Sequence, residues 1–254
     1  MRALVVLVAA LAYLASFVAI AVWPVAVALV FLVTWPFDRN RLLAGRLLRL
    51  LAAFISRSFP LWRIRIEGRW PTGKGPFVVV SNHESYLDIL LIANIPHEMK
   101  WVAKRELFLI PWLGWSFALV GDLAIDRGHS GSAMRLMGKA RRYLERGMSV
   151  IFFPEGTRSE DGRLLPFKVG AFKLAVEAGV PVLPLAVSGT AQGMPKGSLR
   201  VHPSRLTLRI LDPVPTCGLC EADVARLRDE VRDAIARARG GEVTHPERLR
   251  AAMP

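Results

Sequence analysis

His83 and Asp88 stand five residues apart in Ser81-Asn82-His83-Glu84-Ser85-Tyr86-Leu87-Asp88, directly after a short apolar run. An aspartate bonded to one ring nitrogen of a histidine fixes the tautomer and stabilises the imidazolium. The other nitrogen is left free to take a proton from an alcohol. General-base catalysis of this kind contributes on the order of 10²–10⁴ in rate. A hydroxyl activated in this way can attack a thioester carbonyl without an enzyme nucleophile. In the same stretch Ser85 is suited to cap the helix that follows, and Glu84 reads as a solvated loop residue.

A second cluster, Phe153-Pro154-Glu155-Gly156-Thr157-Arg158-Ser159, is built like an anion site. Gly156 allows close backbone approach, Thr157 offers a hydroxyl and Arg158 a bidentate fork, for which phosphate is the natural guest. Glu155 is suited either to hold a substrate hydroxyl or to position Arg158. Lys104 is a further phosphate candidate, and Asp126-Arg127 reads either as a structural brace or as a substrate contact. The chain has no G-x-S-x-G elbow and neither nucleotide-binding glycine loop. His97, His129, His202 and His245 form no H-E-x-x-H, so no metal is expected.

The elements that must position these clusters alternate. Short apolar, β-branched runs at 62–66, 77–81, 149–153, 182–187 and 206–211 predict strands. Helical patterns fall at about 85–95, 130–146, 169–178 and 221–239. Alternation of this kind predicts an α/β fold, a mostly parallel sheet flanked by helices. Such sheets carry their chemistry at the carboxyl ends of the strands, where both polar clusters lie.

Residues 3–37 contain no charge. About 20 apolar residues cross a bilayer core, so this run exceeds one untilted span. Pro24 lies within it and Trp35 near its end. Two readings stand: one tilted or kinked span, or a helical hairpin that dips into one leaflet. The following segment, about 40–58, predicts a basic amphipathic helix. Arg39, Arg46 and Arg57 share one face, with Arg49 nearby. It is suited to lie at an anionic interface, or else it is an ordinary helix packed on the catalytic domain. Positive charge just after the apolar run predicts the cytoplasmic side of the membrane. The expected organisation is therefore a membrane-anchoring segment over 1–58, an α/β domain over 59–240 and a tail over 241–254.

The 254-residue chain carries 34 Lys and Arg against 21 Asp and Glu, a net charge of +13, and is 52% hydrophobic. Basic and apolar together favour a membrane surface and phosphate-bearing partners. No basic stripe interleaved with aromatic residues points to nucleic acid. Cys217 and Cys220 form a lone C-x-x-C. Zinc needs four ligands, so these read as two incidental thiols in a loop before a helix.

Asn82-His83-x-x-x-x-Asp88 resembles the first sequence block of the glycerophospholipid acyltransferases, specifically the 1-acyl-glycerol-3-phosphate acyltransferases. Gly121-Asp122-Leu123-Ala124-Ile125-Asp126-Arg127 is similar to the second block, with Ala124 where a bulky apolar residue is usual. Phe153 to Ser159 matches the third block and Val180 to Gly189 the fourth, and Lys104 lies in a stretch resembling the family's lysine-bearing segment. The ordered set spans about 81–189.

The resemblance implies a glycerol-3-phosphate acyltransferase-like fold with His83 as base and Asp88 as its orienting partner. Glu155, Gly156, Thr157, Arg158 and Lys104 would bind the phosphate and glycerol of a lysophospholipid acceptor. Acyl-CoA or acyl-carrier protein would be the donor, with no cofactor. The expected partners are membrane lipids and these two substrates, at the cytoplasmic face of the inner membrane.

Overall fold

The computed structural model describes residues 2–73, 75–126, 130–159, 162–198 and 200–240. Arg127 and the expected tail over 241–254 lie outside them. In chain order the elements are α1 (Arg2–Thr34), α2 (Leu42–Ser58), β1 (Trp62–Glu67), β2 (Val78–Ser81), α3 (Leu87–Ile92), β3 (Lys100–Lys104), α4 (Leu113–Leu119) and β4 (Leu123–Ile125). There follow α5 (Ser130–Glu145), β5 (Val150–Phe152), α6 (Gly170–Ala178), β6 (Val182–Ser188), α7 (Thr190–Gly193), β7 (Ser204–Ile210) and α8 (Val224–Arg239).

Among the described residues seven strands form one sheet in the order β1-β7-β6-β2-β5-β3-β4. Every pairing is parallel except β6 with β7. All five predicted strands are present. β3 and β4 were not legible: β4 has three residues and β3 begins and ends on lysine, so neither makes an apolar run. The helix expected from residue 85 begins at Leu87, leaving residues 82–86 as a loop.

Side chains alternate across the central strands, as the two-residue strand period requires. Val78 and Val80 face α5, α6 and α8, with Leu136, Phe172, Leu174 and Val231 in one core. Val79, Ile151, Leu183 and Leu185 face the other way, with Leu87, Leu91 and Ile92 of α3. The connections from β2 and β5 leave in opposite directions, so a crevice opens beyond the carboxyl ends of the central strands.

α1 is one continuous helix with Pro24 inside it, so the hairpin reading does not hold. Its stretch Leu7–Thr34 is long and apolar enough to cross a membrane. One side packs on the rest of the chain. Ala12 joins the core around Phe59 and Trp62, and Val27 is fully buried against Ala44, Leu48, Leu51 and Val120. The other side leaves Leu14, Phe17, Val22, Leu29 and Val33 exposed.

α2 packs against α1 and α3 and leaves Leu43, Leu50 and Phe54 exposed. Arg49, expected near the basic face, does not point outward. It turns inward, bonds Asp122 at 2.6 Å and lies over the Trp101 ring. Glu98 and Lys100 complete this buried group of charges. α2 approaches so closely that a Cβ on Gly45 would collide with the Glu98 carboxylate.

Candidate active site

The parallel strands bring four loop starts to one edge. His83 lies two residues beyond β2, and the Glu155 to Arg158 loop follows β5. Lys104 ends β3 and Asp126 follows β4. Asn82 explains why the chain leaves β2 where it does. Its side-chain amide donates to the carbonyl of Val187 at 3.0 Å and its oxygen accepts from the Val187 N–H at 2.8 Å. The side chain thus continues the ladder to β6 while the backbone turns away. Sequence reading assigned Asn82 no role of its own.

Asp88 sits fully buried in the first turn of α3. Its Oδ2 lies 2.7 Å from His83 Nδ1 and also accepts the backbone N–H groups of Glu84 and Ser85, at 2.6 and 2.9 Å. A carboxylate can only accept, so it sets the proton on Nδ1 and leaves Nε2 as the basic nitrogen. The imidazole stacks on Phe153, 4.2 Å between centroids, which fixes the ring plane. A loop of five residues between strand and helix is thereby closed on one carboxylate oxygen.

Glu155 lies beneath this loop and not in the cavity. One oxygen accepts the His83 N–H at 2.6 Å and the other the Leu165 N–H at 2.9 Å. Burial pushes its carboxyl up to about 7. The expected contact with substrate gives way to a brace that ties the β2 loop to the β5 loop. The Ser159 N–H donates back to the His83 carbonyl at 2.9 Å, closing the same junction.

Glu84 is not solvated, contrary to expectation. It is buried, bonded to Arg239 of α8, and takes a bond from Asn82 at 3.3 Å. Burial also raises its carboxyl above the usual range. Ser85 accepts the Leu87 N–H at 3.3 Å at the start of α3, and its hydroxyl donates to the Met194 carbonyl at 2.6 Å. That second bond joins the loop to the segment before β7.

A cavity of about 690 Å³ opens beside His83. Gly156, Thr157, Arg158 and Lys104 line it as the sequence implied, and Asp126 does too. Arg158 lies over the Tyr86 ring at 3.9 Å, which holds its fork at the rim. Lys104 is half-exposed and bonds Glu106 at 2.9 Å. Gly156 adopts φ +73°, and a Cβ there would meet Lys168 Nζ at 2.9 Å. Lys168 and Lys196 were not singled out in the sequence, since each follows a proline-containing loop with no motif around it. Both line the cavity, and Lys196 Nζ donates to the Arg158 carbonyl at 3.0 Å. The remaining wall is apolar and includes Val102, Ile125, Leu136, Met137 and Phe152. Asp126 is 3.7 Å from Arg105.

His83 is held by one carboxylate and opens on a largely apolar cavity with a cationic rim, an arrangement suited to activating a hydroxyl beside a bound acyl chain. The Acyltransferase family model matches residues 63–188. The chloroplastic 1-acyl-sn-glycerol-3-phosphate acyltransferase BAT2 of Brassica napus is 38% identical over 202 residues, covering 79% of this chain and 57% of that protein. The 1-acyl-sn-glycerol-3-phosphate acyltransferase alpha of Homo sapiens is 39% identical over 196 residues, covering 75% and 68%. The chain thus spans little more than half the length of the plant relative. The crystal structure of the 1-acyl-sn-glycerophosphate acyltransferase PlsC from Thermotoga maritima superposes with a TM-score of 0.75 at 30% identity, covering all of both chains. This chain belongs to the glycerophospholipid acyltransferase family.

Proposed function

We propose that this protein transfers a fatty-acyl group from an acyl thioester to the sn-2 hydroxyl of 1-acyl-sn-glycerol 3-phosphate, forming phosphatidic acid in phospholipid biosynthesis. The observation that carries this reading is the His83–Asp88 pair opening on the same cavity as Lys104 and Arg158. His83 Nε2 takes the proton of the acceptor hydroxyl as its oxygen attacks the thioester carbonyl. The tetrahedral intermediate then collapses, the C–S bond breaks, and the thiolate leaves with the proton returned by the imidazolium. Asp88 stabilises the imidazolium throughout. Arg158 and Lys104 hold the acceptor phosphate, and the apolar wall takes an acyl chain. The residues assigned here need no cofactor beyond the donor.

The donor is acyl-CoA or acyl-carrier protein. Both are strongly anionic, in keeping with a net charge of +13. The site of action we infer is the cytoplasmic face of the cell membrane. α1 contacts the domain from Ala12 to Val27 and shows an apolar outer side. We read it as lying along one leaflet, because the stretch of α1 packed on the rest of the chain cannot also be wrapped in lipid across the bilayer core.

The test supplies labelled acyl-CoA and acyl-carrier protein with a panel of lysolipids to membranes carrying the wild type or His83→Ala. Diacyl product and free fatty acid are both followed. Phosphatidic acid formed by the wild type and lost in the variant is the expected result. Product only from another lysophospholipid or a lyso-aminolipid replaces the acceptor and keeps the mechanism. Free fatty acid alone makes the protein a lipid or thioester hydrolase. No turnover with any substrate leaves a membrane-binding scaffold.

A further inference from the structure

Residues 107–121, Leu-Phe-Leu-Ile-Pro-Trp-Leu-Gly-Trp-Ser-Phe-Ala-Leu-Val-Gly, carry no charge and three large aromatic side chains besides Phe108, in a chain of net charge +13. They follow β3 through a 3-10 turn and run into α4. The stretch has two sides. Leu107 and Phe117 point inward and line the cavity. Leu109, Ile110, Trp112 and Trp115 point outward and are 70%, 42%, 44% and 57% exposed.

The outward side is built by the backbone. Trp112 has φ 72° and ψ −63°, and the Leu113 N–H donates to the Pro111 carbonyl at 2.8 Å. This is the rare positive-φ γ-turn, which L-residues adopt only when the surroundings hold them there. The surroundings include α1: the Trp112 indole N–H donates to the Ala21 carbonyl at 2.5 Å. The next carbonyl toward the N-terminus, that of Ile20, is the one Pro24 leaves without its helical N–H. The Trp112 and Trp115 rings lie 5.7 Å apart and extend the exposed apolar side of α1 onto the catalytic domain.

We propose that Leu109, Ile110, Trp112 and Trp115 form a second membrane-docking face, seated in the interfacial layer of the bilayer beside α1, that turns the cavity mouth toward the lipid so that the acceptor enters from the membrane. The occupant is a bilayer and not a protein, for two reasons. The strip is continuous with a helix apolar enough to enter a membrane. Exposed tryptophan rings suit the headgroup boundary. Touching α1 at Ala21, midway along it, the strip occupies the same depth as α1. The proposal rests on the reading of the acceptor as a lysolipid.

The test uses the full chain reconstituted in vesicles of phosphatidylethanolamine and phosphatidylglycerol. In a Cys217→Ser, Cys220→Ser background, Leu109→Cys is labelled with an environment-sensitive fluorophore, and nitroxide-bearing lipids are added. Strong quenching by shallow nitroxides is expected. A label left unquenched, or shielded in detergent as protein concentration rises, overturns the proposal, the latter in favour of a second copy of the chain.

Activity gives the second arm. Leu109→Asp combined with Trp115→Ser is expected to raise the KM for vesicle-borne lysophosphatidic acid about tenfold or more. Its kcat, and its rate with a water-soluble short-chain lysophosphatidic acid, should match the wild type. Loss with both substrates would mean that the strip serves folding only and overturns the docking role. If the wild type accepts neither lysolipid, the acceptor reading fails and with it the claim of acceptor entry, while the quenching arm still decides the docking.

Discussion

Glu84, the neighbour of His83, is buried against Arg239, the last residue of α8. A second bond, from Arg239 Nη2 to the Gly162 carbonyl at 2.7 Å, fixes the same guanidinium to the segment after β5. The final turn of α8 therefore supports the His83 loop from below. The arginine lies at the carboxyl end of the helix, where the helix dipole favours a cation.

Removing one partner of a buried ion pair costs roughly 3–5 kcal/mol, because it strands the other. Arg239→Ala is expected to lower unfolding stability by about 3 kcal/mol and to depress kcat through the loosened loop. Pairing it with Glu84→Gln should restore part of the stability. Urea unfolding of the single and double variants checks this, and strict additivity of the two effects would argue against the coupling.

His83→Ala should reduce kcat by about 10²–10⁴-fold while leaving the KM for the thioester nearly unchanged, as expected for loss of a general base. Asp88→Asn should approach the same loss, since an amide can donate to Nδ1 and favour the wrong tautomer. It should also loosen the loop, because the Glu84 and Ser85 N–H groups share that oxygen. Steady-state kinetics with circular dichroism on matched, folded protein decide the point.

Arg158→Ala is expected to raise the acceptor KM by about 10–100-fold, the loss of a charge-assisted bond of roughly 1.5–3 kcal/mol. Lys104→Ala should have a smaller effect, because the ammonium is half-exposed and already shared with Glu106. A lysolipid without phosphate should be indifferent to both changes. Comparing kcat/KM on the two acceptor types measures this directly.

Glu98 and Glu155 are both raised to about 7, burial being the first cause. Each therefore binds its proton more tightly in the folded than in the unfolded chain. Their contribution to stability is complete below about pH 4.5 and is lost as pH rises through about 7. The melting temperature should fall between pH 5 and pH 8. Glu98→Gln should flatten that fall, by on the order of 1–2 kcal/mol in unfolding free energy. An unchanged pH slope in the variant would show that Glu98 stays ionised among Arg49 and Lys100.

The site was legible where local spacing carries chemistry. His83 and Asp88 lie within one turn of each other after a strand, so a short loop alone brings them together. Gly156 to Arg158 is legible for the same reason. The alternation of apolar runs foretold the α/β sheet, since strand and helix periods differ. What local spacing cannot carry is the partner that arrives from afar. Glu84 has the composition of a solvated loop residue until α8, 155 residues on, delivers Arg239. Arg49 has the spacing of a headgroup-facing cation until β4's approach supplies Asp122. Glu155 stands in a ligand-like motif, yet its oxygens are claimed by the backbone of two other segments.

The sequence by itself determined the His83–Asp88 spacing, five of the strands and the apolar run over 3–37, because each depends on residues close along the chain. Only the tertiary structure decided which charges are buried, which of two apolar stretches share a face, and that α1 lies against the domain. Those outcomes depend on contacts between segments far apart, whose register is set by packing and not by any local pattern.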